Sequence, residues 1–412
     1  MSTPPRTQAI LLLTSYFSRP KKDSFRPLTP TEWARFAMWL KDSSMTPEDL
    51  LSGNLSEKLS GWSDIKIPID RLESLINRGA SLSIAMEKWL RAGLWVITRS
   101  DIDYPNILKD RLGLKSPALL FGIGNRSILK LGGLAVIGSR KISEDDLNYS
   151  KKLGQYSAQE GYSIVSGGAK GVDESAMLGA LEVDGTVIGV LADSLLRVSL
   201  SKKYRDHLIK KNLVLVSPFY PEAGFNVGNA MQRNKYIYCL SDAAFVVQSG
   251  TSGGTWSGAL ENLKNNWVPL WVRKINGPSS GNEQIVLKGG KWESTNPEAI
   301  NFQNIFDLEV ENKTGIDKQE SSVSSSEIQK TLEGKDNLDE NIEGYEDFLK
   351  RIQPLIQNKE IKTNDLIEQL KIDKKQFNKW IKKGVEDHKI DKFTRPVRYI
   401  WVKQISFLDD LI

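Results

Sequence analysis

Two stretches decide the fold: Leu134-Ala135-Val136-Ile137-Gly138-Ser139-Arg140, and Ile164-Val165-Ser166-Gly167-Gly168-Ala169-Lys170-Gly171-Val172-Asp173. Each is a short apolar run that ends in small residues and then gives way to a helical pattern. The same alternation continues on both sides. Apolar runs near 134–138, 162–166, 186–191, 213–216, 243–247 and 268–272 are separated by helical stretches near 144–160, 172–183, 202–211, 228–241 and 255–264. Alternation at this period predicts βαβ units, and therefore an α/β protein with a parallel sheet covered on both faces. The Gly-rich turns put backbone N–H groups and two cations, Arg140 and Lys170, at the edge where such sheets receive anions.

Working outward, the first 92 residues read as a helical domain. Thr29-Pro30-Thr31-Glu32 has a capping threonine, proline at the first helical position and glutamate at the third, followed by Trp33, Phe36, Ala37 and Leu40 at helical spacing. The central domain spans 93–311 and opens with short apolar strands at Leu94 to Thr98 and Ala118 to Phe121, with a turn at Tyr104-Pro105. Residues 312–342 are rich in Ser, Asn, Gln, Lys and acids, and read as a flexible linker. From 343 to 412 the pattern is three helices, near 348–356, 363–370 and 373–385, then an extended pair at 390–393 and 397–402 across Thr394-Arg395-Pro396. That order predicts a winged helix-turn-helix. The end, 404–412, mixes apolar residues with acids and is expected to pack back as a short helix.

Composition sets the outer limits. In 412 residues, 40% are hydrophobic and 26% charged, which suits a soluble multidomain protein and no membrane role. Ala9 to Leu13 is too short and too poorly flanked by cations for a signal peptide. The single cysteine, Cys239, fits a reducing cytoplasm. A net charge of +5 favours an anionic partner without naming it. The two histidines, His207 and His388, sit in different domains, so neither a histidine-centred triad nor a His/Cys metal site is expected.

Two further segments belong with the turns. Gln232-Arg233-Asn234-Lys235 lies on a helix whose Tyr236, Ile237 and Leu240 pack on the sheet, so its polar residues are expected at the same edge. Ser249-Gly250-Thr251-Ser252-Gly253-Gly254-Thr255 follows an apolar strand and leads into a helix, a composition suited to phosphate. Asp173 is expected to cap the helix that begins beside it. A dinucleotide fingerprint is missing, since Gly138 is followed by Ser139, Arg140 and Lys141 and the second strand ends in Ser166. A Walker lysine is missing too, because Gly171 follows Lys170. No cofactor is expected.

In order and spacing, Gly93 to Thr98, Tyr104-Pro105, the VIGSR and SGGAKGVD turns, GTVIGVLA, the QRNK helix and the TSGGT loop resemble the DNA-processing protein DprA (Smf) family over about residues 90 to 275. The resemblance implies an extended Rossmann-like domain between a SAM-like helical front and a winged-helix back. It implies binding of single-stranded DNA in a basic pocket, self-association as a homodimer, and help in loading a RecA-type recombinase during natural transformation. By motif position it makes Arg140, Ser166, Gly167, Lys170, Arg233 and Asn234 the pocket, beside the turn and loop residues Gly138, Ser139, Gly168, Gly171, Lys235, Gly253, Gly254 and Thr255 that composition already singles out. Lys202, Lys203 and Arg205 lie where the family carries a further loop and helix beside it. The chain also diverges. The family's leucine and arginine in the second turn appear as Gly168 and Lys170, its R-N-R as Arg233-Asn234-Lys235, and a glycine-rich turn as Ala192-Asp193-Ser194-Leu195-Leu196.

Charge in the C-terminal domain adds a second contact. Lys375, Lys379 and Lys383 recur at i, i+4 and i+8, a basic stripe opposite Phe377, Trp380 and Ile381, with Arg395 and Arg398 on the wing. A protein-docking role for that domain stays open beside DNA contact. The expected function is a non-catalytic adaptor for single-stranded DNA. The alternative is a nucleotide sensor or phosphoribohydrolase-like enzyme, with a role in defence against foreign DNA. Its G-G-x-G-T-x-x-E loop meets Gly258 at the glutamate position here, with Glu261 one helical turn later.

Overall fold

The computed structural model describes residues 3–19, 25–140, 142–275, 281–306, 345–356, 361–386, 390–394 and 397–401. The expected linker 312–342, Arg395 and the end 404–412 lie outside these residues, as do the side chains of Lys375 and Arg398. Two compact units divide the chain, Met1–Thr314 and Gly315–Ile412.

The first unit opens with helices α1 (Pro5–Thr14), α2 (Pro30–Asp42), α3 (Leu55–Lys58), α4 (Ile69–Ile76) and α5 (Gly79–Arg91). Helix α2 starts as its capping signal requires: the Glu32 amide donates to Thr29 Oγ1 at 3.3 Å, and the Thr29 amide donates to the Glu32 carboxylate at 2.8 Å. The same carboxylate accepts both Arg71 Nη atoms, at 3.0 and 3.2 Å, which ties α2 to α4. In α1, Ala9 through Leu13 are all buried.

The rest of the unit runs β1 (Trp95–Thr98), α6 (Asn106–Leu112), β2 (Leu119–Gly124), β3 (Leu134–Ile137), α7 (Glu144–Gln159), β4 (Ile164–Ser166), α8 (Val172–Glu182), β5 (Val187–Val190), α9 (Leu195–Ser199), α10 (Lys202–Ile209), β6 (Leu213–Ser217), α11 (Val227–Leu240), β7 (Ala243–Val246), α12 (Gly254–Asn265), β8 (Leu270–Arg273), α13 (Gly281–Leu287), β9 (Lys291–Glu293) and α14 (Phe302–Phe306). The nine strands form one sheet in the order β1-β2-β6-β5-β4-β3-β7-β8-β9. It is parallel from β6 to β9, and β1 and β2 extend it antiparallel beyond β6. Some short elements carry no clear signal in the sequence. Strand β9 is three residues long and mostly exposed, and Tyr104-Pro105 leads directly into α6.

Alternate strand residues enter opposite faces. Leu134, Val136, Ile164, Val187, Leu215 and Phe245 join one core cluster. Ala135, Ile137, Val165, Ile188, Val216 and Val246 join the other. Helices α7 and α8 cover the first face through Leu153 and Met177, and α11 and α12 cover the second through Ile237 and Ala259. The first cluster continues into Leu11, Phe36 and Trp89, so the helical front and the sheet share one core across residue 92.

This topology creates the site. From β3 the chain steps to β4, β5 and β6 on one side, then returns to β7, β8 and β9 on the other. The reversal opens a crevice at the carboxyl ends of β3, β4 and β7, where open α/β sheets take ligands.

In the second unit, α15 (Tyr345–Ile356), α16 (Thr363–Leu370) and α17 (Lys374–Glu386) accompany an antiparallel sheet of β10 (Ile361–Lys362), β12 (Val397–Trp401) and β11 (Ile390–Thr394), with β12 central. Phe348, Ile352, Leu366, Phe377, Ile381 and Ile390 form its core.

Candidate anion-binding site at the sheet edge

Because β3, β4 and β7 end side by side, the turns that leave them interlock. Gly171, at φ +103°, packs so closely on the first turn that a Cβ would lie 2.7 Å from the Ser139 carbonyl. The Ser139 amide donates to the Gln248 carbonyl beyond β7 at 2.9 Å.

Beneath the turns lies a buried ion pair. The N-cap of α8 is Gly171, and Asp173 is already inside the helix. Its buried carboxylate accepts the amides of Gly138 and Gly167. Arg233 of α11 is 4% exposed. Its Nη1 lies 3.7 Å from Asp173 Oδ2 and donates to the Val190 carbonyl at 3.2 Å. Position 167 must be glycine, because a Cβ there would fall 1.2 Å from Arg233 Nη1. Burial pushes the Asp173 carboxyl up, while Arg233 and the two amides draw it back. Burial pushes the Arg233 guanidinium down, and Asp173 opposes that. Arg140 is near enough to act on both charges. The pair joins the β3 turn, the β4 turn, α8 and α11 in one brace.

Several expectations change on this geometry. Ser166 and Arg233, expected in the pocket, are buried beneath it. Ser166 Oγ donates to the Val136 carbonyl at 2.6 Å and serves the β3–β4 junction. Asp173 does not cap its helix; it takes the Gly138 and Gly167 amides, occupying from inside the place that a nest of amides would offer an external anion. The sequence did hold a clue, since an acid inside a phosphate-type loop is out of place unless a buried cation faces it.

What reaches solvent is narrower. Arg140 and Lys170 are exposed on the turns after β3 and β4. Gly168 at φ +63° and Gly171 shape the second turn. The Arg140 guanidinium lies 5.2 Å from the ring centroid of Phe225, a residue that the sequence reading did not single out. Lys202 and Lys203 are exposed at the start of α10, and Lys203 pairs with Glu174 of α8.

The other predicted residues gather separately. Asn234, Lys235, Gly254, Ser257, Gly258 and Glu261 line a cleft of about 210 Å³ between α11 and α12. Asn234 Nδ2 donates to the Gly254 carbonyl at 3.0 Å. Burial lowers the Lys235 ammonium below its ordinary value, and Glu261 works against that shift. Gly253, at φ +90°, is the N-cap of α12, with Thr255 half-buried behind it. A Cβ at Gly258 would sit 3.3 Å from Tyr238 and 3.4 Å from Asn234. The glutamate position of the phosphoribohydrolase loop is thus a helix-packing contact here. In the second unit, Lys379 and Lys383 are exposed on α17, with Lys383 Nζ 4.2 Å from the Tyr345 ring centroid.

A mostly parallel α/β sheet with cations exposed on its switch-point turns defines a Rossmann-like protein with a basic, solvent-facing edge. The family model described as DNA recombination-mediator protein A matches residues 95–303, about half of the chain, and the chain belongs to that family. Protein Smf of Escherichia coli (strain K12) is 31% identical over 189 residues, which are 45% of this chain and 50% of that protein. DNA processing protein DprA of Streptococcus pneumoniae is 30% identical over 182 residues, 43% of this chain and 63% of that protein. The chain therefore spans only part of the length of these relatives. The X-ray structure of DNA processing protein A from Streptococcus pneumoniae aligns with a TM-score of 0.55 at 20% identity, covering 72% of this chain and 97% of that one, a likeness of fold.

Proposed function

We propose that this chain is a non-catalytic adaptor that holds the backbone of single-stranded DNA at the switch-point edge of its sheet and presents it for recombination. The observation that carries the reading is Arg140, exposed on the turn after β3 and backed by the Asp173–Arg233 brace. Lys170 adds a second cation on the adjoining turn. An arginine fork offers two donors to one phosphate, and a rigid support keeps it aimed. The family description and the relatives' names, DNA processing protein among them, support a role on DNA. In this reading the protein acts in the cytoplasm as a homodimer, with a RecA-type recombinase downstream. The domain after the linker, a winged helix by its element order, adds Lys379 and Lys383 as a tethered contact.

Titration of labelled oligonucleotides at several salt concentrations tests it. Affinity should fall steeply with salt, and Arg140→Ala should weaken every sequence alike and flatten the salt slope by about one phosphate contact. An Arg140→Ala curve that overlays wild type rejects the site. The cleft at Lys235 and Glu261 favours one second reading, a mononucleotide sensor. Nucleotide-induced thermal stabilisation that Glu261→Gln removes, with oligonucleotide binding absent, would select it over the first.

A further inference from the structure

Away from the turn cations, two opposite charges stand apart. Lys235 on α11 and Glu261 on α12 line the walls of the cleft of about 210 Å³ between those helices. Among the described residues no ion pair joins them, and Glu261 acts on the ammonium through space alone. Lys235 is half-buried, with Nζ 5.2 Å from the Tyr236 ring centroid, and burial disfavours its charge more than Glu261 restores it. An ammonium that closed onto a carboxylate would offset that cost, but here a gap separates the two. The packing of the helices holds the gap open. Asn234 Nδ2 donates to the Gly254 carbonyl at 3.0 Å, and Gly258 leaves the cleft clear where a Cβ would lie 3.3 Å from Tyr238 and 3.4 Å from Asn234.

We propose that this cleft binds a free guanine nucleotide, with Glu261 accepting the N1–H and N2–H donors of the base and Lys235 donating to its O6. The inference rests on the mononucleotide reading of the cleft and deepens it, and it adds a site to the single-stranded DNA reading without replacing it. A ligand that fits between an ammonium and a carboxylate must turn an acceptor to the first and donors to the second. Guanine carries both on one edge, O6 beside two adjacent donor groups. Adenine in the same pose would set its amino group against Lys235 and the N1 lone pair against Glu261. No pyrimidine places two donor groups side by side. Met231, 46% exposed at the cleft, offers a polarisable apolar side chain to the base.

Isothermal titration calorimetry of the full chain with GMP, IMP and AMP tests it. IMP keeps O6 and N1–H but lacks the 2-amino group, so it should bind roughly tenfold more weakly than GMP, and AMP more weakly still. Glu261→Gln should weaken GMP by about tenfold or more and erase its advantage over IMP. Lys235→Met should weaken GMP and IMP alike. Melting of each variant without nucleotide checks that the fold is kept. Equal affinity for the three nucleotides overturns guanine recognition while leaving the mononucleotide reading standing, and so does GMP selectivity that survives Glu261→Gln. If none of the three binds, the mononucleotide reading fails and guanine recognition with it. A guanine-containing oligonucleotide that binds through Glu261 while GMP does not would move the base into a strand and overturn the free nucleotide. Oligothymidylate carries no guanine, so its titration on the same protein reports the DNA reading separately.

Discussion

Arg233→Ala is the sharpest test of whether Arg233 is a brace or a contact. The side chains of Arg233 and Asp173 are 5% and 6% exposed, so truncating the arginine leaves a carboxylate beneath the turns with only two amides for company. Removing one member of a buried pair costs about 3–5 kcal/mol, mostly because the other charge is stranded. Each kcal/mol lowers the melting temperature of a unit this large by roughly 2 °C, so the expected fall is about 6–10 °C. Arg140→Ala removes an exposed side chain and should shift melting by no more than about 1 °C. Differential scanning calorimetry of both variants reads this directly. A double variant, Asp173→Asn with Arg233→Met, strands no charge and should recover most of the loss. If Arg233→Ala melts with wild type yet loses oligonucleotide affinity, Arg233 is a ligand contact and the brace is refuted.

Other consequences are smaller. Ser166→Ala should cost about 1–3 kcal/mol by leaving the buried Val136 carbonyl short of a donor, with oligonucleotide affinity unchanged; a selective loss of affinity would return Ser166 to the binding surface. Ser194 occupies the left-handed region at φ 52°, so Ser194→Gly should stabilise by about 0.5–1 kcal/mol, and a lower denaturation midpoint would contradict that. Burial alone would raise the Glu32 carboxyl, but hydrogen bonds from Arg71 and the Thr29 amide outweigh it and hold the group below 4.5. A depressed carboxyl stabilises the fold above its unfolded value and loses that contribution as pH falls through the folded one. Melting of wild type should therefore drop more steeply below about pH 4.5 than melting of Glu32→Gln, and parallel acid limbs would count against the Glu32–Arg71 link.

Local chemistry settled much of this protein before any coordinates. The alternation of apolar runs with helical stretches placed β3 through β8 and their helices within a few residues, because period and turn composition act over neighbours in the chain. The same signals located the Gly-rich turns and the exposed Arg140 and Lys170. Strand β9 was illegible, since three mostly exposed residues carry no pattern of their own and pair only because β8 is beside them.

Tertiary structure decided which polar residues reach solvent at the sheet edge. Arg233 and Ser166 look like pocket residues in the chain, yet α11 and the β3–β4 junction bury them, and nothing local to either residue records that depth. The partnership of Asp173 with Arg233 spans two helices, and Phe225 meets Arg140 only where the segment between β6 and α11 comes up against the turn after β3. Strand and turn identity follow from short-range propensity. Burial and the pairing of distant charges follow from how the whole sheet closes over them, and that is what separated the solvent-facing cations from the buried ones.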